Sequence, residues 1–169
     1  GTPSSGCIYV EGAEPGQVLV VHIGEIDVDP VGFTRFWGAN GAMPGWLGGT
    51  GVGAQSKVVE IRDGLIHWSD TLKIPATPML GFVGAAPEHT RWQNGWAGQW
   101  GGNFDVPEIT TGASVHLPVA VPGALLHLGD VHAAQGDGEL CTTALEMAAT
   151  VTMKIDLLKG VTIPRPRIR

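Results

Sequence analysis

The chain has 169 residues, 43% of them hydrophobic, which makes it one domain's worth and long enough to bury a substantial core. A formal charge of −6 repels phosphate backbones, and the only basic cluster is the terminal RPRIR of residues 165–169, so nucleic acid is not an expected partner. No apolar run approaches the ~20 residues of a membrane helix and no basic-plus-apolar leader opens the sequence, so neither a membrane nor secretion is expected.

Twenty-six glycines and twelve prolines recur at short intervals between apolar stretches. That is the punctuation of strands and turns, and the fold class expected is mainly β, sandwich-like, with long glycine-rich loops and little helix. Gln17 to Val28 is apolar on both parities and reads as a strand buried on both faces. The glycine-dense run Trp37 to Gln55 reads as a long loop. Ser56 to Asp70 reads as two short strands joined at Asp63-Gly64, a hairpin signal. TLKIPATPMLGFVGAAP, residues 71–87, alternates and breaks at prolines in the manner of edge strands and extended loops. ASVHLPVAVPGALLHLGD, residues 113–130, gives a strand, a turn at Pro122-Gly123 and a second strand. Glu139 to Thr150 fits a helical stripe as well, but no cap separates it from the last strand, so a strand is expected. That last strand, within Thr150 to Gly160, alternates Val151, Met153, Ile155 and Leu157 against Thr152, Lys154 and Asp156, as a half-exposed strand does.

Chemistry concentrates in GDVHAAQGDGE, Gly129 to Glu139. Asp130, His132, Asp137 and Glu139 crowd into it although charged residues are only 15% of the chain. In extended backbone, residues two apart point the same way, so Asp130 can converge with His132 and Asp137 with Glu139. Asn103 and Asp105 in GGNFD share that spacing. Carboxylates and an imidazole held by a stiff sheet suit a divalent metal ion. Such an ion lowers the pKa of a bound water to about 7, and a nearby carboxylate can take its proton for attack on a carbonyl carbon. Asp and Gly are also ordinary turn formers, so the motif competes with a plain turn. His22, His67, His116 and His127 read as hydrogen-bonded or half-exposed strand histidines. His127 and His132, five apart, should face opposite sides of a regular strand, which argues against a cupin-like pair. Trp92, Trp96 and Trp100 can wall a pocket or pack under a loop. Cys7 and Cys141 form no CxxC or Cys/His spacing, fit a reducing cytosol, and place the protein in the cytoplasm. No Walker loop, GxGxxG or GxSxG elbow is present.

Four stretches carry a resemblance: IYVEGAEPGQVLVVHI, IPATPMLGFVGAAPE, GGNFDVPEITTGASVHLPVAV and GDVHAAQGDGELCTTALEMAATVTMKIDL. In this order and spacing they resemble the acetamidase/formamidase family over most of residues 7–160. The resemblance implies a β-sandwich-rich fold and an amidase that hydrolyses short amides, at C–N bonds other than peptide bonds, to ammonia and a carboxylate, with zinc or calcium as the divalent metal. Residues 1–169 then form a single domain of this type, incomplete at both ends relative to the family, whose unpaired sheet edges call for a homo-oligomer or a complementary chain. In that frame Asp130, His132 and Asp105 are the expected metal ligands, with Glu139 and Asp137 as catalytic carboxylates. Asn103 would orient the carbonyl, and the amides of Gly101 and Gly102 would stabilise the oxyanion. Where relatives carry a proline-containing segment before the GGN, this chain has RWQNGWAGQW, which points to substrates bulkier than acetamide. The competing expectation is a non-catalytic β-sandwich module stabilised by a structural metal.

Overall fold

Three antiparallel sheets of four strands each account for the regular structure in the computed structural model, which describes residues 3–36 and 53–169. The long loop expected at Trp37 to Gln55 falls largely on residues 37–52, outside the described residues. Among the described residues no helix forms, and none is long and apolar enough to cross a membrane. The mainly β, sandwich-like class read from the glycine and proline spacing is what the chain adopts.

The first sheet is ordered β11-β1-β9-β12, from Ala149–Leu158 (β11), Val18–Val28 (β1), Ser114–Pro118 (β9) and Arg167–Ile168 (β12). β1 lies in its interior, and both faces of its first half are buried, with Val18, Leu19 and Val21 fully inaccessible and Val20 nearly so. β11 keeps its alternation, with Val151, Met153, Ile155 and Leu157 half-buried against the core and Thr152 and Lys154 exposed.

The second sheet is ordered β10-β6-β8-β7: His127–His132 (β10), Met79–Gly84 (β6), Gly101–Asn103 (β8) and Ala97–Gly98 (β7). β6 corrects the sequence reading. Its prolines suggested an edge, yet Met79–Gly84 is buried at every position and sits between β10 and β8. The prolines lie outside the strand, where no ladder hydrogen bond is lost. Leu80, Val83, Leu126 and Leu128 from this sheet and its approach pack with Leu19, Val21, Ile23, Val115 and Leu117 from the first into one core.

The third sheet is ordered β2-β3-β4-β5, with Val31–Phe36 (β2), Gln55–Arg62 (β3), Leu65–His67 (β4) and Lys73–Pro75 (β5). Arg62 pairs with Leu65 across Asp63-Gly64, the expected hairpin. The segment following β10 was expected to be a strand over Glu139 to Thr150. It is instead a run of turns from Asp137 to Thr142 that touches a ladder only at Glu146 before β11 begins. Left-handed backbone at Glu139 (φ 40°) and Thr142 (φ 59°) prevents extension there. Leu145 and Ala133 of this segment pack on Val59, Ile61 and Ile66 of the third sheet, in a second, smaller core.

Candidate metal centre

The segment between β10 and β11 ties two sheets together and brings a set of acidic side chains to one point. Glu146 pairs with His132 at the end of β10 and with Phe33 in β2. Residues directly opposite in antiparallel pairs point to the same face, so the register alone sets the Glu146 and His132 side chains side by side. His132 Nε2 lies 3.3 Å from Glu146 Oε2 and 3.4 Å from Asp130 Oδ1. The imidazole is 1% exposed.

Gln135 decides how that imidazole is oriented. Its Nε2 donates to the Asp105 backbone carbonyl at 2.5 Å, and a carbonyl can only accept, so Gln135 Oε1 must face His132 Nδ1, 2.8 Å away. Nδ1 therefore carries a hydrogen, and in the neutral ring the lone pair sits on Nε2, aimed among carboxylate oxygens. A protonated imidazole or a cation satisfies that arrangement; a neutral ring without one does not.

Asp105 enters from the loop after β8. Its backbone N–H and that of Phe104 donate to the Gly81 carbonyl, at 3.1 and 2.8 Å, and Asn103 Nδ2 donates to Asp105 Oδ2 at 2.7 Å. The close approach depends on Gly81 in β6, where a Cβ would stand 2.6 Å from Asp105 Oδ1 and 2.7 Å from Asp130 Oδ2. A glycine floor under two carboxylates leaves room for them and for little else. Asp105 Oδ1 and Asn103 Oδ1 are buried and, among the described residues, have no hydrogen-bond partner. Donor atoms of Asp105, His132 and Glu139 lie within 4.8 Å of one another, as do those of Asp130, His132 and Glu146. Buried acceptors without donors, grouped around one imidazole nitrogen, are a donor set that fits a divalent cation.

The electrostatics follow from this crowding. Burial, then the Asp130 charge, pushes the Asp105 carboxyl up to about 6. Burial, then the Asp105 charge, pushes Glu139 up to about 7. Burial works to lower the His132 pKa, but its hydrogen bonds to Asp130 and Glu146, with their charges, raise it to about 10.

Of the residues singled out from sequence, Asp105, Asp130, His132, Glu139 and Asn103 come together. All but the imidazole line a cavity of about 720 Å³. Asp137 does not join them and stands exposed on the turn. Gly138 (φ 80°) and Glu139 are both left-handed, so the two-residue alternation that would align Asp137 with Glu139 is broken. Gly101 and Gly102 are buried in β8 and are not part of the cavity lining. Trp92 and Trp100 stack on each other at 5.1 Å and flank a different cavity, and Trp96 is exposed. His127 packs edge-on against Phe82, away from the cluster. Glu146, Gln135 and Gly81 were not singled out. Gln135 lies three residues after His132 in the same motif, a readable cue, whereas Glu146 and Gly81 belong to the site only through strand pairing.

Sequence comparison bears on the same region. A family model described as the Acetamidase/Formamidase family matches residues 96–166, which include Asn103, Asp105, Asp130, His132, Glu139 and Glu146. A putative formamidase of Schizosaccharomyces pombe is 49% identical over 61 residues, which make up 36% of this chain and 15% of that protein. An acetamidase of Mycolicibacterium smegmatis is 46% identical over 61 residues, with the same coverage of both chains. Among solved structures, a recombinant predicted acetamidase/formamidase from Thermoanaerobacter tengcongensis superposes with a TM-score of 0.92 at 38% identity, over 99% of this chain and 54% of that one. The sequence matched around the acidic cluster and the fold matched from end to end agree: both resemble the acetamidase/formamidase family, and the chain spans about half the length of its solved relative.

Proposed function

We propose that this chain carries the metal-binding portion of an amidohydrolase that converts short linear amides to ammonia and a carboxylate. The observation that carries this reading is His132 Nε2 at 3.4 Å from Asp130 Oδ1 and 3.3 Å from Glu146 Oε2, a position a cation can take in place of the ring proton, beside a buried Asp105 oxygen that has no donor among the described residues. Asp130, His132, Asp105 and Glu146 would hold the ion. The imidazole among the donors favours zinc over calcium, whose sites are built from oxygen. When bound, a divalent cation supplies the positive charge that polarises the amide carbonyl and acidifies a water.

The remaining steps belong to the protein's own groups. Glu139, poised at about 7 by burial and by the charge of Asp105, takes a proton from the attacking water. The water oxygen bonds to the carbonyl carbon, the C–N bond breaks, and the same proton passes from Glu139 to the departing nitrogen. Asn103 holds Asp105 through its Nδ2 hydrogen bond. In this reading Gly101 and Gly102 shape β8 rather than face the substrate, and Asp137 forms the turn that delivers Glu139. A cytoplasmic location accords with two free cysteines, and a second copy or a complementary chain is the expected companion.

The test is ammonia release from formamide and acetamide by zinc-loaded and chelated protein. Release that requires the metal, and that falls roughly 10²- to 10⁴-fold in kcat/KM in Glu139→Gln, is the expected result. A metal-dependent rise in melting temperature with no ammonia from either amide would instead make the chain a metal-stabilised binding module.

A further inference from the structure

Beside the carboxylates the same cavity has a second wall, apolar except for Arg35, which follows Val31 and Phe33 on the same face of β2. Phe33 and Glu146 exchange both backbone hydrogen bonds, at 2.9 and 2.8 Å, and Glu146 in turn pairs with His132. Side chains directly opposite in successive antiparallel pairs share a face, so Phe33, Glu146 and His132 stand in consecutive rows. Val58 pairs with Phe33 on the other side, and Val31 is two residues along the same strand, so both share that face. All three are large, apolar and open to solvent: Phe33 is 49% exposed, Val31 51% and Val58 69%. They line the cavity that Asp105, Asp130, Glu139 and Glu146 also line. Gly32 fixes the spacing between wall and carboxylates, because a Cβ there would stand 2.7 Å from the Glu146 carbonyl oxygen.

We propose that Phe33, with Val31 and Val58, is an acyl-binding wall that makes the site selective for amides whose acyl group is apolar and larger than acetyl. This rests on the amidase reading. The cavity, at about 720 Å³, lies in the range of roughly 300–1,000 Å³ that holds drug-sized ligands, and a two-carbon acyl group would leave most of it to water. An acyl chain lying along the wall removes its own methylenes and the Phe33 ring from water together, while its amide end stays beside Glu139 and Glu146. The chemistry of recognition is therefore split: carboxylates, with their cation, at the C–N bond, and a phenyl ring with two valines at the acyl tail. The tryptophans before the GGN, which suggested a bulky substrate from sequence, have no part in it, since Trp92 and Trp100 flank another cavity and Trp96 is outside this lining.

The experiment is a series of acetamide, butyramide, hexanamide and phenylacetamide on the zinc-loaded full chain, compared with Phe33→Ala and the conservative Phe33→Leu. We expect kcat/KM to rise roughly three- to fourfold per added methylene, the hexanamide-to-acetamide ratio to drop at least tenfold in Phe33→Ala, and Phe33→Leu to keep most of it. A ratio that is flat or falling in the native chain, or that survives Phe33→Ala, overturns the wall. A second arm measures binding of hexanamide and acetamide to zinc-loaded Glu139→Gln by ligand-observed NMR. If no amide is hydrolysed, the amidase reading fails and this arm still decides the wall. Tighter hexanamide binding that is lost when Phe33→Ala is added supports it, and equal binding of the two amides overturns it.

Discussion

His132 shows how much a single neighbour can decide. Gln135 accepts from its Nδ1–H, which leaves Nε2 to face Asp130 and Glu146, and Gln135 is itself held by the Asp105 carbonyl. Partners that fix a ligand's tautomer typically contribute 10- to 100-fold to metal affinity. Gln135→Ala should therefore weaken zinc binding by about that factor, read by competition with a chromophoric chelator, while leaving the melting temperature of the chelated protein within a few degrees. Unchanged affinity would mean that the imidazole is oriented by packing alone. Asp105, Asp130 and Glu139 are also unusual in their backbone, with φ of 48°, 55° and 40°. Left-handed backbone at residues other than glycine carries a cost of order 1–3 kcal/mol each and is over-represented at functional sites. Carrying three such residues in one cluster is consistent with a site shaped for binding.

Among the elements, β6 does most to place the cluster and looked least suited to it in the sequence. Prolines on both sides of MLGFVG suggested an edge strand, and nothing local says that Gly81 lies under two carboxylates. That fact depends on β10 and β8 pairing to either side of it, which is tertiary information. Gly81→Ala should leave the fold intact, lower stability by about 1–3 kcal/mol through overpacking, and lower metal affinity at least tenfold by separating Asp105 from Asp130. Circular dichroism and a zinc titration on the same sample check both halves; native affinity would show that the carboxylates can move aside without loss. β1, β11 and the Asp63-Gly64 hairpin were legible because their signals are local: period-two burial and a two-residue turn. Asp130, His132, Asp105 and Glu139 were legible as residue types in a glycine-rich context. Asp137 was grouped with Glu139 by an alternation that holds only in extended chain, and the turn at Gly138 cancels it. Glu146 escaped notice because its partners Phe33 and His132 are remote in sequence, and only the pairing of two sheets reveals them.

For the molecule as a whole, the cluster ties stability to pH. An acid whose folded pKa is raised stabilises the fold while it is protonated, and that contribution is lost as pH rises through the folded value. Asp105, at about 6, and Glu139, at about 7, therefore favour the fold near pH 4 and cease to do so above pH 7. His132, at about 10, contributes fully below its unfolded pKa near 6.5 and loses the contribution as pH climbs towards 10. All three point the same way, so the chelated protein should melt at progressively lower temperature from pH 5 to pH 8. Zinc, which supplies the missing positive charge, should widen the gap between loaded and chelated protein over that range. A gap that is constant or narrows in differential scanning fluorimetry would contradict this. The double pairing of Glu146 gives the molecule a further property. The second sheet meets the third through a residue whose carboxylate is also a candidate ligand, so the third sheet must dock before the cluster is complete. A chain whose third sheet has not docked would then lack the Glu146 carboxylate at the cluster and offer a cation fewer donors than the closed fold does.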